Sequence, residues 1–167
     1  MAVVCLCTKA FVNIYIVDIA GLGGFSPPPC VLPLGDSRHG IYVDSDAIQM
    51  TDDVLVVHEM GHFLGLLHAF HNWNWAANTP NSVCTDENND FIKDTPPQNK
   101  TVDFGSSLDC DTPPSTCGDE ANPDSVRNVM QYTSCANTTT ASFTAAQFRR
   151  MQWSLVQERA GLIDYGE

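Results

Sequence analysis

The chain has 167 residues, enough for one domain with its own core, and 43% of them are apolar. Twenty acids against eight bases give a formal charge of -12. That balance argues against nucleic acid or anionic membrane as partner, since both repel a net anion, and no apolar run reaches the length of a membrane span.

The first eight residues are apolar, but no base precedes them and Lys9 interrupts the run early, so they do not read as a signal peptide. The expectation is a chain shortened at its amino end, with signal and pro-segment absent. Residues 10–19 alternate and are rich in β-branched and aromatic types, which predicts a strand. Between Gly21 and Pro33, Gly23-Gly24 and Pro27-Pro28-Pro29 predict a loop or a ragged edge segment. Gly40 to Asp44 is a second, short strand. A buried helix then runs from about Val54 to Leu64, capped by Thr51 or Asp52 and stopped at Gly65.

Residues 72–127 are full of Asn, Asp, Thr, Pro and Gly and show no period. A loop this long needs ties within a compact domain, and disulfides or a bound cation would supply them. Four of the seven cysteines, Cys84, Cys110, Cys117 and Cys135, lie in the second half of the chain. They predict two disulfides and an oxidising compartment, with three pairings open. The sequons Asn99-Lys100-Thr101 and Asn137-Thr138-Thr139 agree with secretion. Cys5, Cys7 and Cys30 take no role from the sequence. In the final helix, Thr144 and Gln147 form a capping box, Phe143 and Phe148 a hydrophobic staple, and Phe148, Met151, Leu155 and Val156 an apolar stripe.

The segment His58-Glu59-Met60-Gly61-His62-Phe63-Leu64-Gly65-Leu66-Leu67-His68 carries the chemistry. Residues four apart share a helix face, so His58 and His62 can offer two nitrogens to one zinc ion. Glu59 stands beside them, within reach of a zinc-bound water. Gly65 lets the chain turn, so that His68 arrives as third ligand. Three protein ligands leave a fourth tetrahedral position for water, the catalytic arrangement. Gly65 and His68 extend the shorter motif to the pattern of the metzincin proteases. His39 and His71 lack this spacing and read as surface or loop histidines. In Asn128-Val129-Met130-Gln131-Tyr132, Met130 is the candidate methionine turn beneath the zinc, and Tyr132 would aim its hydroxyl at the metal.

The zinc motif, Asp90-Phe91-Ile92-Lys93-Asp94-Thr95-Pro96-Pro97, the methionine turn and Phe143-Thr144-Ala145-Ala146-Gln147 together resemble the pappalysin family of metzincins, closest to its secreted fungal extracellular metalloproteases. The resemblance runs from about Phe11 to the last helix. It implies an α+β, metzincin-like zincin fold in a single catalytic domain over 1–167. A twisted sheet and the zinc helix would form an upper subdomain (about 9–68). A loop-rich lower subdomain (about 69–167) would carry the final helix, and substrate would lie in the cleft between the two. It implies the disulfides Cys84–Cys117 and Cys110–Cys135, and a calcium ion near Asp90 and Thr95, whose oxygens suit that cation.

Two departures stand out. Family catalytic domains are longer at the amino end, and the edge strand that should hold substrate falls in the proline-rich Gly23 to Pro33. The implied function is that of a secreted, monomeric zinc metalloendopeptidase acting on protein or peptide, with Glu59 as general base and Tyr132 stabilising the oxyanion. The alternative is a catalytically silent fragment that binds zinc or a protein partner. The stretch after the methionine turn, Tyr132 to Asn137, holds no acid, which predicts a neutral or apolar residue after the cut.

Overall fold

The computed structural model describes residues 11–29, 31–32, 36–49, 54–70, 73–74, 79–80, 84, 90–99 and 108–162. Cys5, Cys7, Cys30, Thr51, Asp52 and His71 lie outside the described residues, as does the amino-terminal run. Residues group into two compact units, 1–66 with 149–167, and 67–148.

The first unit is built on a three-stranded sheet. Its strands are β1 (Ile14–Val17), β2 (Gly24–Phe25) and β3 (Ile41–Asp44), in the order β1-β3-β2. Central β3 runs parallel to β1, with Ile14 opposite Ile41, and antiparallel to β2, with Gly24 opposite Val43. The expected edge segment is therefore a short antiparallel strand that ends before the prolines. Asp44 N–H donates to the Gly23 carbonyl at 2.8 Å and closes the pair. Alternation along β3 buries Ile41 and Val43 completely. They pack with Phe63, and Val12, Leu55, Val56, Met60, Leu64 and Leu162 surround them. On the other face Tyr42 stacks on Tyr15 and Phe25, with ring centroids 4.8 and 4.4 Å apart.

Helix α1 (Leu55–Phe63) lays its buried side on this core. It starts close to where expected: Val54 holds the cap position without a side-chain hydrogen bond, and the first helical bond is His58 N–H to Val54 O at 2.8 Å, while the expected caps Thr51 and Asp52 lie outside the described residues. Its end is as expected. Gly65 takes φ +85, Gly65 N–H bonds His62 O and Leu66 N–H bonds Gly61 O, both at 2.9 Å. This is a Schellman turn, which glycine enters without a Cβ penalty.

The second unit is turn-rich among its described residues, with a two-stranded pair, β4 (Trp73–Asn74) and β5 (Thr79–Pro80). Phe70, Val126, Val129, Met130 and Cys135 are buried. Helix α2 (Ala145–Gln157) starts at the expected box: Gln147 N–H donates to Thr144 Oγ1 at 3.1 Å and Thr144 N–H to Gln147 Oε1 at 2.9 Å. Asp94 adds a second cap, accepting from Thr144 Oγ1 and Ala146 N–H. Phe143 and Phe148 meet edge to face at 5.5 Å.

The predicted stripe on α2 holds at Met151, which is buried, and not at Phe148 and Val156, which are half exposed; Gln147 and Ser154 are the other buried positions. The cause at Ser154 is local: a Cβ placed on Gly65 would lie 3.3 Å from Ser154 Oγ, so the tight turn demands a small residue there. No helix among the described residues is long and apolar enough to cross a membrane.

Candidate metal centre and its carboxylate

Helix α1 and the turn after it bring His58, His62 and His68 together. One ligand nitrogen from each lies within 4.8 Å of the others, close enough for a single ion, and among the described residues no other such cluster of His, Cys, Asp and Glu occurs. The spacing of four turns the rings of His58 and His62 edge to face at 4.8 Å. His62 Nδ1 lies 2.8 Å from the Leu66 carbonyl. A carbonyl only accepts, so Nδ1 carries the proton and Nε2 keeps its lone pair for a metal. The Schellman turn thus supplies the carbonyl that sets the tautomer.

His68 is fixed by aromatic neighbours, stacked on Phe70 at 4.9 Å and edge to face with Tyr132 at 4.6 Å. Next to it, Ala69 N–H donates to the Met130 carbonyl at 3.0 Å, which ties the third histidine's segment to the expected methionine turn. The turn is itself clamped. Met130 N–H donates to Asn128 Oδ1, and the Asn128 and Gln147 amides bond each other twice, at 2.8 and 3.2 Å. Met130 is fully buried.

Glu59 is 3% exposed, and its Oε2 has no hydrogen-bond partner. Burial pushes its carboxyl up to about 7. Three imidazoles with one tautomer already set, beside a buried carboxylate oxygen that lacks a donor, suit zinc: nitrogen donors around the ion and an acceptor for a proton next to it.

A family model described as pregnancy-associated plasma protein-A, peptidase M43, matches residues 37–156. The chain belongs to the peptidase M43 family. The resemblance to pappalysins read from the sequence is thereby borne out. An extracellular metalloprotease of Aspergillus fumigatus is 34% identical over 97 residues, covering 58% of this chain and 25% of its own length. One of Arthroderma gypseum is 30% identical over 165 residues, covering 89% and 48%. The chain therefore spans less than half the length of these curated relatives. In fold it is similar to mature mirolysin of Tannerella forsythia, solved with a cleaved peptide, at TM-score 0.68, 19% identity and coverage of 93% of this chain and 57% of that one. The described residues of this M43 chain are thus mixed α/β, with a small three-stranded sheet, a two-stranded pair and two α-helices.

The other expected site residues are placed as follows. Cys84 is bridged to Cys117 and Cys110 to Cys135, with Cα–Cα distances of 5.6 and 5.5 Å. Asp90 and Thr95 are buried in one turn, where Ile92 N–H donates to Asp90 Oδ1 at 3.0 Å and Thr95 N–H to Ile92 O at 3.2 Å. Phe91 between them has φ 62, a conformation costly for a non-glycine residue. Burial pushes the Asp90 carboxyl up to about 7, against the lowering effect of the bond from Ile92 N–H.

His39 lies in a loop, as one half of the expectation had it, but not on the surface: it is 3% exposed, with Nε2 2.9 Å from the Leu32 carbonyl and Nδ1 2.8 Å from Arg159 Nη1. Its structural partner is 120 residues away, so spacing offered no signal. Two further neighbours of the site were not singled out from sequence. Leu66 contributes only a carbonyl, which no side-chain pattern marks. Gly24 read as loop punctuation, although a hydrophobic residue after a glycine pair beside a strand is a usable sign of an edge.

Proposed function

We propose that this chain carries the centre of a secreted zinc-dependent metalloendopeptidase that hydrolyses peptide bonds of protein or peptide substrates. The observation that carries the reading is the convergence of His58, His62 and His68 beside a buried Glu59. Those three histidines are the proposed ligands. When bound, zinc supplies Lewis acidity, polarising the scissile carbonyl and lowering the pKa of water toward about 7.

Glu59 Oε2, which lacks a donor, takes the proton of the attacking water and passes it to the leaving nitrogen. Tyr132, its ring against His68, donates its hydroxyl to the developing oxyanion. Met130, fully buried, is the proposed methionine turn. Asp90 and Thr95 are proposed ligands of a structural calcium ion, on the strength of buried oxygens in one strained turn. The extracellular names of the fungal relatives and the two cysteine bridges support secretion. The enzyme is proposed to act as a monomer on one domain spanning the sheet, the zinc helix and the loop-rich segment.

The test uses the full chain loaded with zinc. About one zinc per chain should survive dialysis and be lost in His58→Ala, His62→Ala. Glu59→Gln should keep the metal and lower peptidase activity about 10²–10⁴-fold. A loss below tenfold would remove Glu59 from its role. Metal retention with no activity in the unmutated chain would instead support the silent-fragment alternative.

A further inference from the structure

We propose that Gly24 is a positioning residue for Glu59: the bare backbone of edge strand β2 is what leaves the carboxylate its place. The proposal rests on the reading of Glu59 as general base. A Cβ built on Gly24 would lie 3.1 Å from both Cγ and Oε1 of Glu59, and 2.8 Å from the Tyr42 carbonyl. Tyr42 belongs to central β3, whose neighbours Ile41 and Val43 are fully buried, so that carbonyl has little freedom to retreat. The soft party is the Glu59 side chain. A methyl at position 24 therefore displaces either the carboxylate or the edge strand that walls it in.

The neighbouring glycine supplies the contrast. A Cβ on Gly23 would meet only the Leu55 methyls, at 3.5 and 3.7 Å, which is ordinary contact. Neither glycine is held at positive φ, so backbone conformation does not separate them. The requirement for glycine at position 24 is therefore steric and is set by Glu59 and Tyr42. Because a base must meet its proton at hydrogen-bond distance, a shift near 1 Å costs on the order of 100-fold in rate.

The experiment compares Gly24→Ala and Gly23→Ala in the full zinc-loaded chain. Gly24→Ala should lower kcat about 10- to 100-fold with KM within about twofold and one zinc retained, a larger loss of kcat than Gly23→Ala causes. A second readout needs no activity. In metal-free protein the fall in Tm caused by Gly24→Ala should be smaller in a Glu59→Ala background than with Glu59 present. An unchanged kcat in Gly24→Ala, or an equal fall in Tm in both backgrounds, overturns the proposal and leaves Gly24 serving only the strand. Glu59→Gln measured alongside separates the two readings: full activity there removes the base assignment, whereas the Tm coupling still reports the packing.

Discussion

The imidazole of His62 donates its Nδ1 proton to the Leu66 carbonyl, 2.8 Å away and one turn past the end of the helix that carries it. The turn that makes this possible centres on Gly65, at φ +85. A non-glycine residue in that conformation costs about 1–2 kcal/mol. A Cβ would also press on Ser154 Oγ at 3.3 Å. Gly65→Ala should therefore destabilise the fold by about 1–2 kcal/mol. It should also weaken zinc binding by about tenfold or more, because the bond that orients His62 is disturbed. Chelator competition and thermal melts measure the two effects, and unchanged zinc affinity would remove the carbonyl's role.

Asp90 is one of two buried carboxyls that shape the pH dependence of the metal-free protein. Burial raises its pKa from 3.8 to about 7, so the folded state favours the protonated form. Below about pH 4 this group costs nothing. As pH rises toward 7 the unfolded chain ionises while the folded one does not, and stability falls by up to roughly 4 kcal/mol. Glu59, raised to about 7 by the same cause, acts in the same direction. Urea titrations of chelated protein between pH 4 and 8 should show stability declining with pH, and Asp90→Asn should flatten the slope. Added calcium should raise the midpoint at pH 8 in the parent and not in Asp90→Asn. An equal response in both would move the cation elsewhere.

How much of this was legible in the sequence follows from the range of each interaction. The histidine cluster, the Gly65 stop and the Thr144–Gln147 box are set by neighbours three to seven residues apart, and periodicity exposes such spacings directly. The edge strand Gly24–Phe25 was left open, because pairing with β3, not local propensity, decides it. The α2 stripe was right at Met151 and missed Ser154 for a related reason. Ser154 is buried because Gly65 needs a small neighbour, and hydrophobicity ranks a serine as solvent-facing. His39 and Arg159 meet across 120 residues with no pattern to announce them.

Cleavage specificity is expected to be neutral or apolar immediately after the cut. Tyr132 to Asn137 offers no carboxylate, and the acids upstream are engaged or exposed. Asp124 accepts from the Thr116 amide and hydroxyl, and Asp119 accepts from Ala121 N–H and the Asn122 amide. A basic side chain buried in such a pocket would lack a counter-charge, at a cost of several kcal/mol. Peptide-library profiling checks this, and a dominant Arg or Lys after the scissile bond would show the assignment wrong.

Arg159 should be the most sensitive position in the first unit outside its metal ligands. It is 5% exposed and reaches three ways from the end of α2. Nε donates to the Phe63 carbonyl at 3.3 Å, Nη1 to His39 Nδ1 at 2.8 Å and Nη2 to the Pro27 carbonyl at 3.4 Å. Its guanidinium also lies 3.8 Å over the Phe63 ring. Phe63 closes α1, so the cation sits where the helix presents unpaired carbonyls and the negative end of its dipole. Truncation to alanine strips the donors from these buried acceptors and opens a cavity beside Phe63. Each orphaned acceptor costs about 1–3 kcal/mol, and the lost cation–π contact adds about 1 kcal/mol or more. Arg159→Ala should therefore lose at least about 3 kcal/mol in urea unfolding. Arg159→Lys should recover little, since one ammonium cannot reproduce a planar fork serving three partners. A loss below 1 kcal/mol in the alanine variant would mean that water replaces the guanidinium at these acceptors, and that the clasp contributes little to holding the zinc helix.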